Sequence, residues 1–263
     1  MSLNKEKIAE YLSEYLGSFL FVSIIFLSGI LVRGFEPFLI GFGLAALIFV
    51  FSKYGKAHLN PIVTISFLLT KKISLLDGIT YLVLQFIAVA TAYPLVSWIR
   101  DQAINLQIGN AGTAGTDSLR EQLLAQVPLF NSFETGFTSF AFVVEGFLAF
   151  IFVLTILITV HNKVTKNSAA VAIGLILFII TAMAGSVTGA SFHPFRSLIP
   201  ALIDGGDALS QVWVYLAAPT VGAIVAALVY YVFEWAEKGG MFKLGGEAKK
   251  QAVKSASKSS TKK

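Results

Sequence analysis

The chain has 263 residues, is 56% hydrophobic and only 13% charged, and has a mean hydropathy of +0.75; soluble domains are about one-quarter charged, so this is an integral membrane protein. The formal charge of +5 is no nucleic-acid signal: seven of the 20 basic residues lie in the last 21 positions and the rest stand singly or paired at segment ends, as membrane flanks do. There is no Cys, and His occurs only at positions 58, 161 and 193, which excludes disulfides and a convincing metal centre; no nucleophile–base pair or phosphate loop indicates an enzyme or a cofactor.

About 20 apolar residues cross a hydrocarbon core, and six such spans are predicted in chain order. The first covers about Tyr11–Val32; Lys5 and Lys7 precede it as in a signal peptide, but its length and Glu14 mark a retained span. Phe38–Phe51 is short and runs on into Lys56-Ala57-His58-Leu59-Asn60-Pro61-Ile62-Val63-Thr64, where Pro61 opens a half-helix to Leu69. Leu75–Ile99 is the third span. Residues 101–133 form a long connection with a possible short helix around Asp117–Ala125; a tether between halves is preferred over a cover for a vestibule. Phe137–Val160 and Ala169–Val187 follow, then Gly189-Ala190-Ser191-Phe192-His193-Pro194-Phe195-Arg196-Ser197-Leu198-Ile199-Pro200, with a second half-helix over Pro194–Ile203. Val212–Phe233 is the sixth span, and a Lys/Ser-rich tail, 239–263, is expected to be disordered.

Both Pro61 and Pro194 suit a first helical position, where the missing N–H has no partner to lose. Aligned on these prolines, Ala57 pairs with Ala190, Asn60 with His193, and Ile62 with Phe195. Non-helical backbone at membrane depth persists only where protein buries it or where it lines a watery cavity. Residues 1–100 and 134–238 thus share one plan of span, span, half-helix, span. Three spans per copy invert the second relative to the first, and inverted repeats with broken helices carry their site at the repeat interface. With the N-terminus in the cytoplasm, six spans put every Lys inside, while Arg33, Arg100 and Arg120 lie outside beside acidic residues.

The span order, the His-Leu-Asn-Pro-x-Val-Thr run and the Gly-Ala-Ser-x-x-Pro-x-Arg-Ser-x-x-Pro run resemble the aquaporin, or major intrinsic protein, family. So do Glu14 in Glu-Tyr-Leu-Gly-Ser-Phe, Glu145 in Glu-Gly-Phe-Leu-Ala-Phe, Gln85 in Tyr-Leu-Val-Leu-Gln, and residues 213–222. The resemblance implies an all-α membrane protein with six transmembrane helices, two re-entrant half-helices and an inverted repeat. It also implies a homotetramer in the lipid bilayer of the cell membrane, with both termini cytoplasmic and one pore per subunit passing water or another small neutral solute. Two departures stand out. The family's paired Asn-Pro-Ala is here Asn60-Pro61-Ile62 and His193-Pro194-Phe195, and Lys56 stands where the family usually has Gly. Counting from the motifs, the family's constriction falls on Ile40, Thr181, Ala190 and Arg196, without the aromatic residue and His of strict water pores.

Half-helices meeting N-terminus to N-terminus place positive dipole ends where a cation would pass. This is a known device of the resembled family, and only its mapping onto this chain is inferred. Asn60 serves as N-cap and as a donor to a passing oxygen. Arg196 reads as a functional cation rather than one reaching outer headgroups. Glu14 and Glu145 read as acceptors for backbone N–H groups of the irregular segments, with a proton relay as the alternative. His58 reads as a satisfied structural residue and His161 as a solvated one. Ala218, Gly222 and Ala226 form a small-residue face for either the subunit interior or a subunit interface.

Two expectations remain. A neutral His193 would cap its helix through Nδ1 and donate Nε2–H to the permeating solute, so that acid would reduce conduction; the alternative is a His that only fills space, with no pH response. The bulk of Ile62 and Phe195 would plug the pore in the alternative reading, a pore-closed structural or accessory protein.

Overall fold

The computed structural model describes residues 5–32, 34–111, 116–126, 128–130, 136–161 and 165–238. Arg33, Lys163 and the tail from Gly239 lie outside them, as do residues 112–115 and parts of the connection between the halves. The described residues form α1 (Lys5–Leu31), α2 (Glu36–Phe51), α3 (Pro61–Leu69), α4 (Leu75–Ala111), α5 (Thr116–Gln126), α6 (Thr138–His161), α7 (Ala169–Thr188), α8 (Pro194–Asp204) and α9 (Gly206–Lys238). Helices are what an apolar chain must form in lipid, where each backbone group has to find its partner within the protein. Five of them are long and apolar enough to cross a membrane, and α2 is a shorter apolar helix that leads into α3.

Packing repeats across the two halves. α1 packs on α2 and α4, as α6 does on α7 and α9; α3 touches α4 and α9, and α8 touches α9 and α4. Exchanging the halves maps these contacts onto one another, with α2 against α7 and α3 against α8 on the exchange axis. Close crossings depend on glycine. A Cβ on Gly41 would lie 2.5 Å from the Gly174 carbonyl oxygen, and one on Gly174 would lie 2.5 Å from that of Gly41. A Cβ on Gly222 would meet the Gly146 carbonyl oxygen at 2.1 Å. Ala218 and Ala226 are buried beside Gly222, so the small-residue face of α9 serves the subunit interior against α6.

The connection differs from expectation. α4 does not stop at Ile99 but continues to Ala111, because Ile104 on the continuation is buried in a cluster with Val22, Phe26, Tyr93 and Leu129. α5 lies where a short helix was expected. Gln126 at its end and Pro128 just after it form part of a cavity wall. At the other end of the molecule Lys7 pairs with Asp77 at 2.7 Å, and Lys72 pairs with Glu234.

Candidate functional site

Each half-helix is preceded by a segment held in an uncommon backbone conformation. Ala57 and Leu59 have φ of 49° and 52°, and Ala190 and Phe192 have 45° and 44°. These are the positions that the proline alignment pairs. Left-handed backbone is costly for residues with a Cβ, so it persists only where surrounding contacts over-determine it. The contacts are carboxylates. Glu14 accepts from the His58 N–H at 3.0 Å, the Leu59 N–H at 2.7 Å and Gln85 Nε2 at 2.7 Å. Glu145 accepts from the Ser191 N–H at 3.1 Å, the Phe192 N–H at 3.2 Å and the Thr188 hydroxyl at 2.6 Å. Both carboxylates are fully buried. Gln85 also donates to Thr64 Oγ1 at 2.9 Å, which ties α4 to α3.

The caps of α3 and α8 face each other. Asn60 Oδ1 accepts from the Ile62 N–H at 3.1 Å, and His193 Nδ1 accepts from the Arg196 N–H at 3.2 Å. Across the junction Asn60 Nδ2 donates to the Phe192 carbonyl at 2.9 Å, and His193 Nε2 lies 3.2 Å from the Leu59 carbonyl. The Nε2 hydrogen therefore goes to the opposite loop and not to a permeating oxygen, which corrects the expectation from sequence. A backbone N–H can only donate and a carbonyl only accept, so this pairing forces the neutral tautomer with hydrogen on Nε2.

Three cavities lie in series through this junction. The widest, about 450 Å³, is a vestibule bordered by Glu36, Gly34, Gln126, Pro128 and Ser186, with Ile40, Thr181 and Arg196 at its inner end. The second, about 20 Å³, shares Ile25, Ile40, Thr181, Gly189 and Arg196 with the vestibule and adds Ala190, Phe21, Asn60 and His193. The third, about 30 Å³, shares Asn60 and continues past His58, Val63, Phe67 and Phe152 to Lys56 and Val160. The two inner cavities are each about the size one or two waters need. All four expected constriction residues border the second cavity. Phe21 and Ile25 of α1 and Phe192 line the same small cavity beside them. Phe21 and Ile25 were missed from sequence: they look like any other apolar residue of a span, and only helix rotation turns them inward.

Three buried polar atoms along this route have no protein partner among the described residues: Thr181 Oγ1, Arg196 Nε and His58 Nε2. Arg196 is only 8% exposed. Its Nη1 donates to the Gly189 carbonyl at 3.4 Å, and its Cζ lies 6.0 Å from the Phe26 ring centroid. His58 is bonded through Nδ1 to Thr64 at 3.1 Å, so it is only half satisfied, contrary to the sequence reading. His161 is not simply solvated either. It is half-buried at the end of α6, its Nδ1 lies 2.9 Å from the Leu157 carbonyl, and its ring lies 5.4 Å from Phe67 and 5.6 Å from Tyr230.

Neither bulky motif residue borders the route. Ile62 is fully buried in the main apolar core, and Phe195 packs edge-on to Phe86 of α4 at 5.5 Å. Pro61 and Pro194 occupy the first turns of α3 and α8. The feature that motivated a plugged pore is therefore turned away from it.

The major intrinsic protein family profile matches residues 2–230. The chain belongs to the major intrinsic protein family. It is 33% identical to glycerol uptake facilitator protein-like 6 of Lactiplantibacillus plantarum over 83% of this chain and 94% of that protein. It is 26% identical to aquaporin Z of Rhodopseudomonas palustris over 85% of this chain and 92% of that protein. The fold is that of the solved aquaglyceroporin from Plasmodium falciparum, with a TM-score of 0.60 at 22% identity, covering 84% of this chain and 96% of that one. Family membership and the apolar helices make this a multi-pass integral membrane protein.

Proposed function

We propose that the three cavities are the conduction route and that Ile40, Thr181, Ala190 and Arg196 form its selective constriction. As a family member the chain is a passive channel for water and small uncharged solutes. The observation that carries the route is that the unpartnered polar atoms Thr181 Oγ1, Arg196 Nε and His58 Nε2 are strung along it. A desolvating solute recovers hydrogen bonds there. The cavity that holds Thr181 and Arg196 is also lined by Ile25, Ile40, Phe21 and Leu177, so the constriction offers both polar and apolar surface. That suits water in single file and, when Ile40 yields space, a solute with a polar edge such as glycerol, urea or a neutral nitrogen compound. The glycerol-facilitator relative supports this choice.

Cations are rejected by the buried Arg196 and by the two helix N-termini. The remaining parts of the reading follow the family: a homotetramer in the cell membrane, both termini cytoplasmic, no enzymatic activity, and two inverted halves at 1–100 and 134–238. The test is stopped-flow light scattering on proteoliposomes with water, glycerol, urea and ammonia. Flux above that of empty liposomes is expected, and Ile40→Trp should slow glycerol more than water. Solute flux unchanged by that substitution would remove Ile40 from the constriction, and no flux at all would leave a structural protein.

A further inference from the structure

We propose that His193 is a positioning residue and not a solute donor, so that Asn60 alone offers a hydrogen bond to the solute where the two half-helices meet. The inference rests on the cavities being the conduction route. A neutral imidazole has one donor and one acceptor, whereas a primary amide has two N–H donors and an acceptor oxygen. His193 uses its acceptor on the Arg196 N–H and its donor on the Leu59 carbonyl. Asn60 uses its oxygen on the Ile62 N–H and one hydrogen on the Phe192 carbonyl. One amide hydrogen remains. Asn60 is also the residue shared by the two inner cavities, while His193 borders only the one on the Arg196 side.

The crossed pair of bonds acts as a latch. Each cap holds the carbonyl of the residue before the other cap, and both of those residues, Leu59 and Phe192, are left-handed. The latch is symmetric between the halves; the spare donor is not. Two swaps separate these properties. His193→Asn keeps cap and latch and adds a second spare N–H. Asn60→His keeps them and removes the only one. A purely structural role predicts equal effects, since the two positions are related by the exchange of halves.

Flux of water and glycerol, normalised to inserted protein, is read for both swaps and for the double variant that exchanges the two residues. Asn60→His should lose about fivefold, the size of one hydrogen bond. His193→Asn should conduct at least as well as the parent, and the double variant should recover near-parental flux because one donor is restored. Parental flux in Asn60→His, or an equal loss in both single swaps, would overturn the assignment. If Asn60→His does not insert, the other two variants decide: a loss in His193→Asn, or no recovery in the double variant, overturns it. A parent protein that conducts nothing would overturn the conduction route itself, and a conducting parent with symmetric swaps would overturn only the donor asymmetry.

Discussion

Removing the Glu14 carboxylate should unfasten the segment that carries Asn60. In the structure this group accepts the His58 and Leu59 N–H groups and the Gln85 side-chain N–H, all buried. In Glu14→Ala the two backbone donors have nowhere to turn, because the left-handed backbone at Ala57 and Leu59 fixes their direction. An orphaned buried donor costs about 1–3 kcal/mol, so the backbone pair alone costs roughly 2–6 kcal/mol. That is a large share of a net stability of about 5–15 kcal/mol. The expected drop in apparent Tm of detergent-solubilised protein is on the order of 10 °C. Glu14→Gln retains one acceptor oxygen and turns an NH2 group toward the second donor, so about half of that loss is expected. Solute flux should fall together with stability, since Asn60 moves with the loop. If Glu14→Ala melted at the parental temperature, the carboxylate would not be what holds the loop, and a proton-relay role would have to be tested instead.

Arg196→Val should admit Na⁺ or protons to a measurable degree by removing the one guanidinium from the constriction; a variant as ion-tight as the parent would leave the helix dipoles as the whole barrier. Gly222→Val should force α9 off α6, since even a Cβ would lie 2.1 Å from the Gly146 carbonyl oxygen; unchanged thermal stability in detergent would mean the helices can part at little cost.

The sequence by itself determined the class of the protein and the order of its parts. In lipid an unpaired backbone group is so costly that spans must be apolar and helical, and their breaks stand out as prolines beside His, Asn and Arg. Glu14, Glu145, Asn60 and Arg196 were visible as polar groups at depths where nothing polar is free of cost. Only the tertiary structure decided how they are used. The bond from Asn60 to the Phe192 carbonyl and that from His193 to the Leu59 carbonyl join loops more than a hundred residues apart. They depend on left-handed backbone that no periodicity encodes. The same holds for Phe21 and Ile25 turning into the route, Phe195 turning out toward Phe86, and His161 resting tilted against Tyr230. An apolar or aromatic side chain in a span carries no local mark of the face it will present, because that face is chosen by the rotation at which neighbouring helices pack most closely.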